Sequence, residues 1–245
     1  MRRIIYINFI LWLFIAVSFT VFFFGRRERI IVPREEVTIT FVEGRTLKEY
    51  GALLAERGLV PSVEVWARAV GSVAPRYRVL FPGLFADAPA NAGLEGYFFP
   101  DTYRFFKNTS ARSIIEKALR EMDEKLSTEA RAKIKEQNKT IFEVLTMASL
   151  VEAEGKTAED RALIADILWR RLRVGMPLQV DSSMGTYKEK GLPAAPINNP
   201  SLASINASIN PTSNAYWYFI SGRDGKMYYA RTLDEHNRNI ARYLR

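Results

Sequence analysis

The chain has 245 residues, 48% of them hydrophobic and 25% charged, a globular composition that excludes a mostly disordered or collagen-like chain. Cysteine is absent and His236 is the sole histidine, which excludes disulfides, a cysteine nucleophile, thiolate zinc sites and any site built on two imidazoles. Lys and Arg number 35 against 27 acidic residues, a net charge of +8 with no clustered basic helix or aromatic–basic motif to single out nucleic acid, so chemistry here must lean on carboxylates, hydroxyls, amides and cations.

The first predicted element runs from Ile4 to Phe24, 21 residues without a charge. As a helix it would extend roughly 30 Å, the thickness of a bilayer's hydrocarbon layer. It ends in Phe22-Phe23-Phe24 rather than a small-x-small cleavage site, so residues 1–29 read as an uncleaved membrane anchor rather than a signal peptide. Arg2 and Arg3 on one side nearly balance Arg26, Arg27 and Arg29 on the other. A cytoplasmic N-terminus with the body outside is therefore permitted by charge, not dictated by it.

Val37 to Val42 has strand-like β-branched content, and Glu43-Gly44 turns the chain. Thr46 to Glu49 has the spacing of a capping box, Leu47, Tyr50, Leu53 and Leu54 follow at helical spacing, and Gly58 is a natural stop. Ser62 caps a second short helix to Val70. This β-α-α unit is similar to LysM-type sugar-binding units, and residues 30–93 are read as that unit plus a linker; positions 72–93, rich in Pro, Gly and Ala, are expected to be irregular. Leu94 to Phe105 then concentrates aromatics around Glu95, Asp101 and Arg104, a mixture suited to sugar rings, with a buried strand and turn as the equal alternative.

Helices are expected over Ser110–Leu126, Thr140–Glu154, Thr157–Val174 and Leu202–Ile209, and a hairpin over Tyr216–Ala230 with Asp224-Gly225 at its turn. The fold class is α+β, with residues 94–245 as one mixed domain of central helices and a C-terminal hairpin.

In the 140–154 helix, Ile141, Leu145, Ala148 and Glu152 fall within roughly 60° of one another at about 100° per residue. Glu152 thus shares the apolar stripe, whereas Glu143 and Glu154 project elsewhere and read as solvent carboxylates. Burial favours the protonated form of a carboxyl, which is what a general acid for glycosidic cleavage needs. The helix wheel alone favours, over catalysis, a Glu at a helix end that reaches water or pairs with an arginine.

Five segments, LEGYFFPDTYRF, ASLVEAEG, RRLRVGMPLQVD, GLPAAPINNPSLASI and YFISGRDGKMYYARTLDEHN, occur in an order that resembles the YceG-like (MltG) endolytic murein transglycosylases. The resemblance implies cleavage of the β-1,4 bond between N-acetylmuramic acid and N-acetylglucosamine in peptidoglycan strands, with a 1,6-anhydromuramyl end as product and no metal or cofactor. It implies an inner-membrane protein with its catalytic domain on the periplasmic side, acting beside cell-wall synthases. The glutamate of the ASLVE helix, taken as Glu152, is the implied acid and then base. Glu95, Tyr97, Tyr103, Gln179, Asp181, Asn198 and Asn199 are the implied substrate-binding residues, and His236 is assigned to anchoring the hairpin. One departure is visible: Asp181 reaches Gly191-Leu192-Pro193 within ten residues, shorter than the family's usual stretch. A glycan-binding scaffold, or a hydrolase with Glu95 or Asp181 as second carboxylate, are the competing expectations.

Overall fold

The computed structural model describes residues 35–244. Strand β1 (Glu36–Thr40) pairs antiparallel with β2 (Thr102–Phe106), with Thr38 opposite Arg104. Their alternation turns Ile39, Tyr103 and Phe105 into the core and leaves the polar partners outside. Helix α1 (Leu47–Glu56) begins at the expected capping box, in which Thr46 Oγ1 accepts from the Glu49 N–H and the Glu49 carboxylate accepts from the Thr46 N–H. Helix α2 (Val63–Val70), capped by Ser62, buries Trp66 completely, and the indole N–H donates to Leu47 O at 2.8 Å.

The segment expected to be irregular instead holds two short helices, α3 (Pro75–Leu80) and α4 (Pro82–Phe85). Each starts with proline, whose fixed φ suits the first helical position and whose missing N–H costs nothing there. Tyr77, Leu84 and Phe85 then anchor them in the core.

Helices α5 (Ala111–Lys125), α6 (Thr128–Glu136), α7 (Ile141–Glu154) and α8 (Ala158–Arg173) follow, each with a Ser or Thr N-cap. A single 3₁₀ turn (Met184–Tyr187), helix α9 (Leu202–Ile209), the hairpin β3 (Tyr218–Ser221) and β4 (Met227–Ala230), and helix α10 (Leu233–Tyr243) complete the chain. In the hairpin Tyr218 is opposite Ala230, and Gly225 takes a φ of +79° at the turn. Helix α10 buries none of its residues and is held instead by Tyr243 stacked on Tyr228 and by Asn239 donating to Tyr229 O.

Helix α7 organises the middle of the fold. Its residues Ile141, Val144, Leu145 and Ala148 belong to one hydrophobic cluster, while Met147, Leu150 and Val151 belong to a second, packed against α8 and the hairpin. It is apolar nearly all round because it is covered nearly all round.

The α+β class stands, but the described structure holds no counterpart of the membrane-spanning helix expected within it. Among the described residues no helix is long and apolar enough to cross a membrane. The longest, α8, has 16 residues, an axial length of roughly 24 Å, and carries charge from Glu159 to Arg173. The stretch from Ile4 to Phe24 lies outside the described residues. The structure gives the single-pass anchor, the membrane as partner and the inner-membrane location no support, so as a correction these expectations are withdrawn and play no part below.

Candidate active site

Helix α7 delivers two glutamates at its C-terminal end, and they go to different places. Glu152 points toward α8 and the start of α9. Its Oε2 accepts from the Ser201 N–H at 2.9 Å and from the Ser201 hydroxyl at 2.5 Å, and its Oε1 faces Arg161 Nη2 at 3.3 Å. The side chain is 7% exposed, but its neighbours are donors rather than hydrocarbon. Gly155 permits this arrangement: a Cβ there would lie 2.5 Å from Arg161 Cγ and 3.0 Å from its Cα. Glu152 thus ties three helix ends together.

Glu154, the last residue of α7, lines a cavity of about 470 Å³ together with Arg171, Gln179, Asp181, Tyr187, Tyr218, His236 and Asn237. This volume lies in the range of small-molecule and oligosaccharide sites. Burial is the main influence holding the Glu154 carboxyl above the usual carboxylate range, and the nearby Asp181 charge acts in the same direction. Its place at the negative end of a helix reinforces that shift. Ser182 opposes it through long hydrogen bonds to Oε1, 3.2 Å from the hydroxyl and 3.5 Å from the N–H. The expectation that Glu154 is an ordinary solvent carboxylate is corrected: α7 is covered nearly all round, so the apolar stripe carried little information about which end residue meets a cleft.

Of the expected binding residues, the structure brings Gln179 and Asp181 to this cavity. Gln179 sits in the left-handed region at φ +52°, and its side-chain oxygen accepts from Arg171 Nη1 at 3.3 Å. Asp181 accepts a short hydrogen bond from the Tyr187 hydroxyl, which pushes that phenol up to about 12. The bond braces the brief loop after Asp181 across the 3₁₀ turn.

The remaining expected residues lie elsewhere. Tyr97 and Tyr103 are 0% and 3% exposed, inside the aromatic core, where the Tyr103 hydroxyl donates to Phe99 O. Asn199 is fully buried, and its side chain is saturated: Oδ1 accepts from the Gly96 and Phe98 N–H groups, and Nδ2 donates to Arg45 O and Glu95 Oε1. Asn198 is 5% exposed and donates to Ser149 O. Glu95 borders a separate, mostly apolar cavity of about 440 Å³ beside α1 and α2. Its carboxylate is held by the Leu47 N–H and Asn199, and burial pushes it up to about 7.

Besides Glu154, the cavity residues absent from the sequence-based site include Arg171, Tyr187, Tyr218 and Asn237. His236, expected only to anchor the hairpin, both stacks on Tyr218 at 5.1 Å and lines the cavity. Burial, followed by the Arg171 charge, lowers its affinity for a proton.

The profile of the family described as YceG-like matches residues 27–185 and 184–242. The chain is 33% identical over 253 residues to a protein of Streptococcus pneumoniae described as an endolytic murein transglycosylase, covering 86% of this chain and 46% of the relative. A Bacillus subtilis protein with the same description is 29% identical over 234 residues, covering 84% of this chain and 65% of its own length. The chain thus spans just under half the length of the first relative and just under two thirds of the second. A solved structure of a yceG-like protein from Listeria monocytogenes is similar at a TM-score of 0.71 and 25% identity, over 82% of this chain and 75% of that one.

Proposed function

The chain belongs to the YceG-like family, and from that premise we propose that it is a peptidoglycan-cleaving lytic transglycosylase whose acid and base is Glu154. The observation that carries the assignment is the cavity itself: Glu154 is the helix-borne carboxyl that lines it, and burial holds that carboxyl toward its protonated form. The substrate class rests on the description of the similar proteins as endolytic murein transglycosylases.

In this reading the β-1,4 bond between N-acetylmuramic acid and N-acetylglucosamine lies across the cavity. Protonated Glu154 gives its proton to the leaving glycosidic oxygen as the C1–O bond breaks. The carboxylate so formed, steadied by the Ser182 donors, takes the proton of the muramyl C6 hydroxyl as that oxygen bonds to C1. The product is a 1,6-anhydromuramyl end, no water is consumed, and Glu154 returns protonated. Because the nucleophile belongs to the substrate, its orientation is largely supplied in advance, an advantage of several kcal/mol. Gln179, whose side-chain nitrogen Nε2 has no protein partner among the described residues, is available to the acetamido and hydroxyl groups of the sugar.

One observation favours a second reading. Asp181 lines the same cavity, so a muramidase-type hydrolase could use it to activate water. Glu95, in its separate cavity, is not a candidate for that role. Mass spectrometry of digested peptidoglycan separates the two: anhydro ends support the transglycosylase, reducing ends the hydrolase, and intact strands a glycan-binding scaffold.

A further inference from the structure

Resting on that reading of the cavity, we propose that it contains a carboxylate-recognition subsite, formed by Arg171 and His236, for an anionic group carried by the muramic acid of the strand. Arg171 is 3% exposed and lines the cavity. Its Nε donates to Trp217 O at 2.8 Å and its Nη1 to Leu178 O at 2.8 Å, with longer contacts to Gln179 Oε1 and Pro177 O. Every one of these acceptors is neutral. No carboxylate among the described residues forms an ion pair with Arg171, although Glu154 and Asp181 line the same cavity.

A guanidinium enclosed without a counter-charge is expensive, because neutral carbonyls replace only part of its lost hydration. Its remaining nitrogen, Nη2, has no acceptor among the described residues and is not among the enclosed unpartnered atoms, so it reaches the cavity. Beside it, Tyr218 organises both candidate donors: the Arg171 guanidinium lies 5.1 Å from the ring centroid, and the His236 ring stacks on the same tyrosine. The Nδ1 of His236 is buried without a partner, and its other nitrogen is the one available to the cavity. With a proton on Nε2, the imidazole and Arg171 Nη2 offer two donors to one carboxylate, which also supplies the missing negative charge.

Two sources provide that chemistry on muramic acid: the free lactyl carboxylate of a peptide-free strand, and the carboxylates of an attached stem peptide. The test uses the full chain and four soluble strand preparations, peptide-bearing and amidase-denuded, each native or with its carboxylates converted to methylamides. Loss of a charge-assisted contact corresponds to a roughly ten- to hundredfold rise in KM on amidation. A rise confined to the denuded pair assigns the lactyl group, and one confined to the peptide-bearing pair assigns the stem peptide. Arg171→Gln should reduce the native-to-amidated ratio to about twofold or less; if that variant does not fold, the wild-type comparison decides alone. Native and amidated strands with KM values within twofold in both pairs overturn the subsite. If no strand is cleaved, the proposed activity fails, and calorimetric Kd values for the same four preparations still decide the subsite. Absence of both binding and cleavage overturns both.

Discussion

Glu95→Gln should flatten the pH dependence of stability. The wild-type carboxyl accepts from the Leu47 N–H and Asn199, and burial pushes it up to about 7 in the folded chain from 4.5 for the free side chain. Tenfold in proton affinity is worth about 1.4 kcal/mol, so the gap corresponds to at most roughly 3 kcal/mol. The sign follows from which state holds the proton. The folded state binds it more tightly, so this contribution is fully present below pH 4.5 and is lost as the pH rises through 7. Glutamine keeps the shape and an acceptor oxygen but cannot ionise. Urea unfolding followed by tryptophan fluorescence suits the measurement, because buried Trp66 donates to Leu47 O, next to the site. Between pH 4.5 and 8.5 the wild type should lose about 2–3 kcal/mol relative to Glu95→Gln. The Glu154 contribution is common to both chains and cancels. A wild-type-minus-variant difference that stays constant across this range would refute the reasoning.

Asn199→Ala should destabilise the fold by about 2–4 kcal/mol in the same unfolding assay, because it leaves the buried Gly96 and Phe98 N–H groups without their acceptor. Gly96→Ala should cost about 2 kcal/mol or more: the backbone there has φ +83°, and a Cβ would meet the rigid Pro196 ring at 2.5 Å. Glu152→Gln should lower stability by about 1–3 kcal/mol through its lost ion pair with Arg161 and a mismatched Ser201 N–H, yet leave cleavage detectable in a muropeptide digest.

Much of the scaffold could be read from local chemistry. The capping boxes at Thr46/Glu49 and Thr140/Glu143 start their helices where the spacing places them, since each satisfies its own N-terminal donors without tertiary help. Asp224-Gly225 likewise announces its hairpin. Helix α10 carries the same capping signal at Thr232 and Glu235, although few apolar residues follow it to mark a helix. Helices α3 and α4 were hidden by their prolines, which read as breakers but occupy the first turn.

The site was less legible than the scaffold. Periodicity identifies a buried face only when another face is wet, and α7 passes between two hydrophobic clusters. In such a helix only an end can open on a cleft, and both Glu152 and Glu154 lie in the last turn of α7. Tyr97, Tyr103 and Asn199 are polar-capable residues whose hydrogen-bonding potential or bulk is absorbed by the core, which no local pattern distinguishes from a binding role. Arg171 carries no sequence mark of burial, and only the packing of α8 against the hairpin reveals it.

The central claim is that Glu154 transfers the proton in strand cleavage. Its most direct test is muropeptide mass spectrometry of peptidoglycan incubated with the wild type, Glu154→Gln and Glu152→Gln, each first shown to be folded by circular dichroism. The account predicts 1,6-anhydromuramyl ends from the wild type and from Glu152→Gln, and a loss of at least about a hundredfold with Glu154→Gln. Undiminished cleavage by folded Glu154→Gln would contradict it, and most decisively if folded Glu152→Gln were the inactive protein.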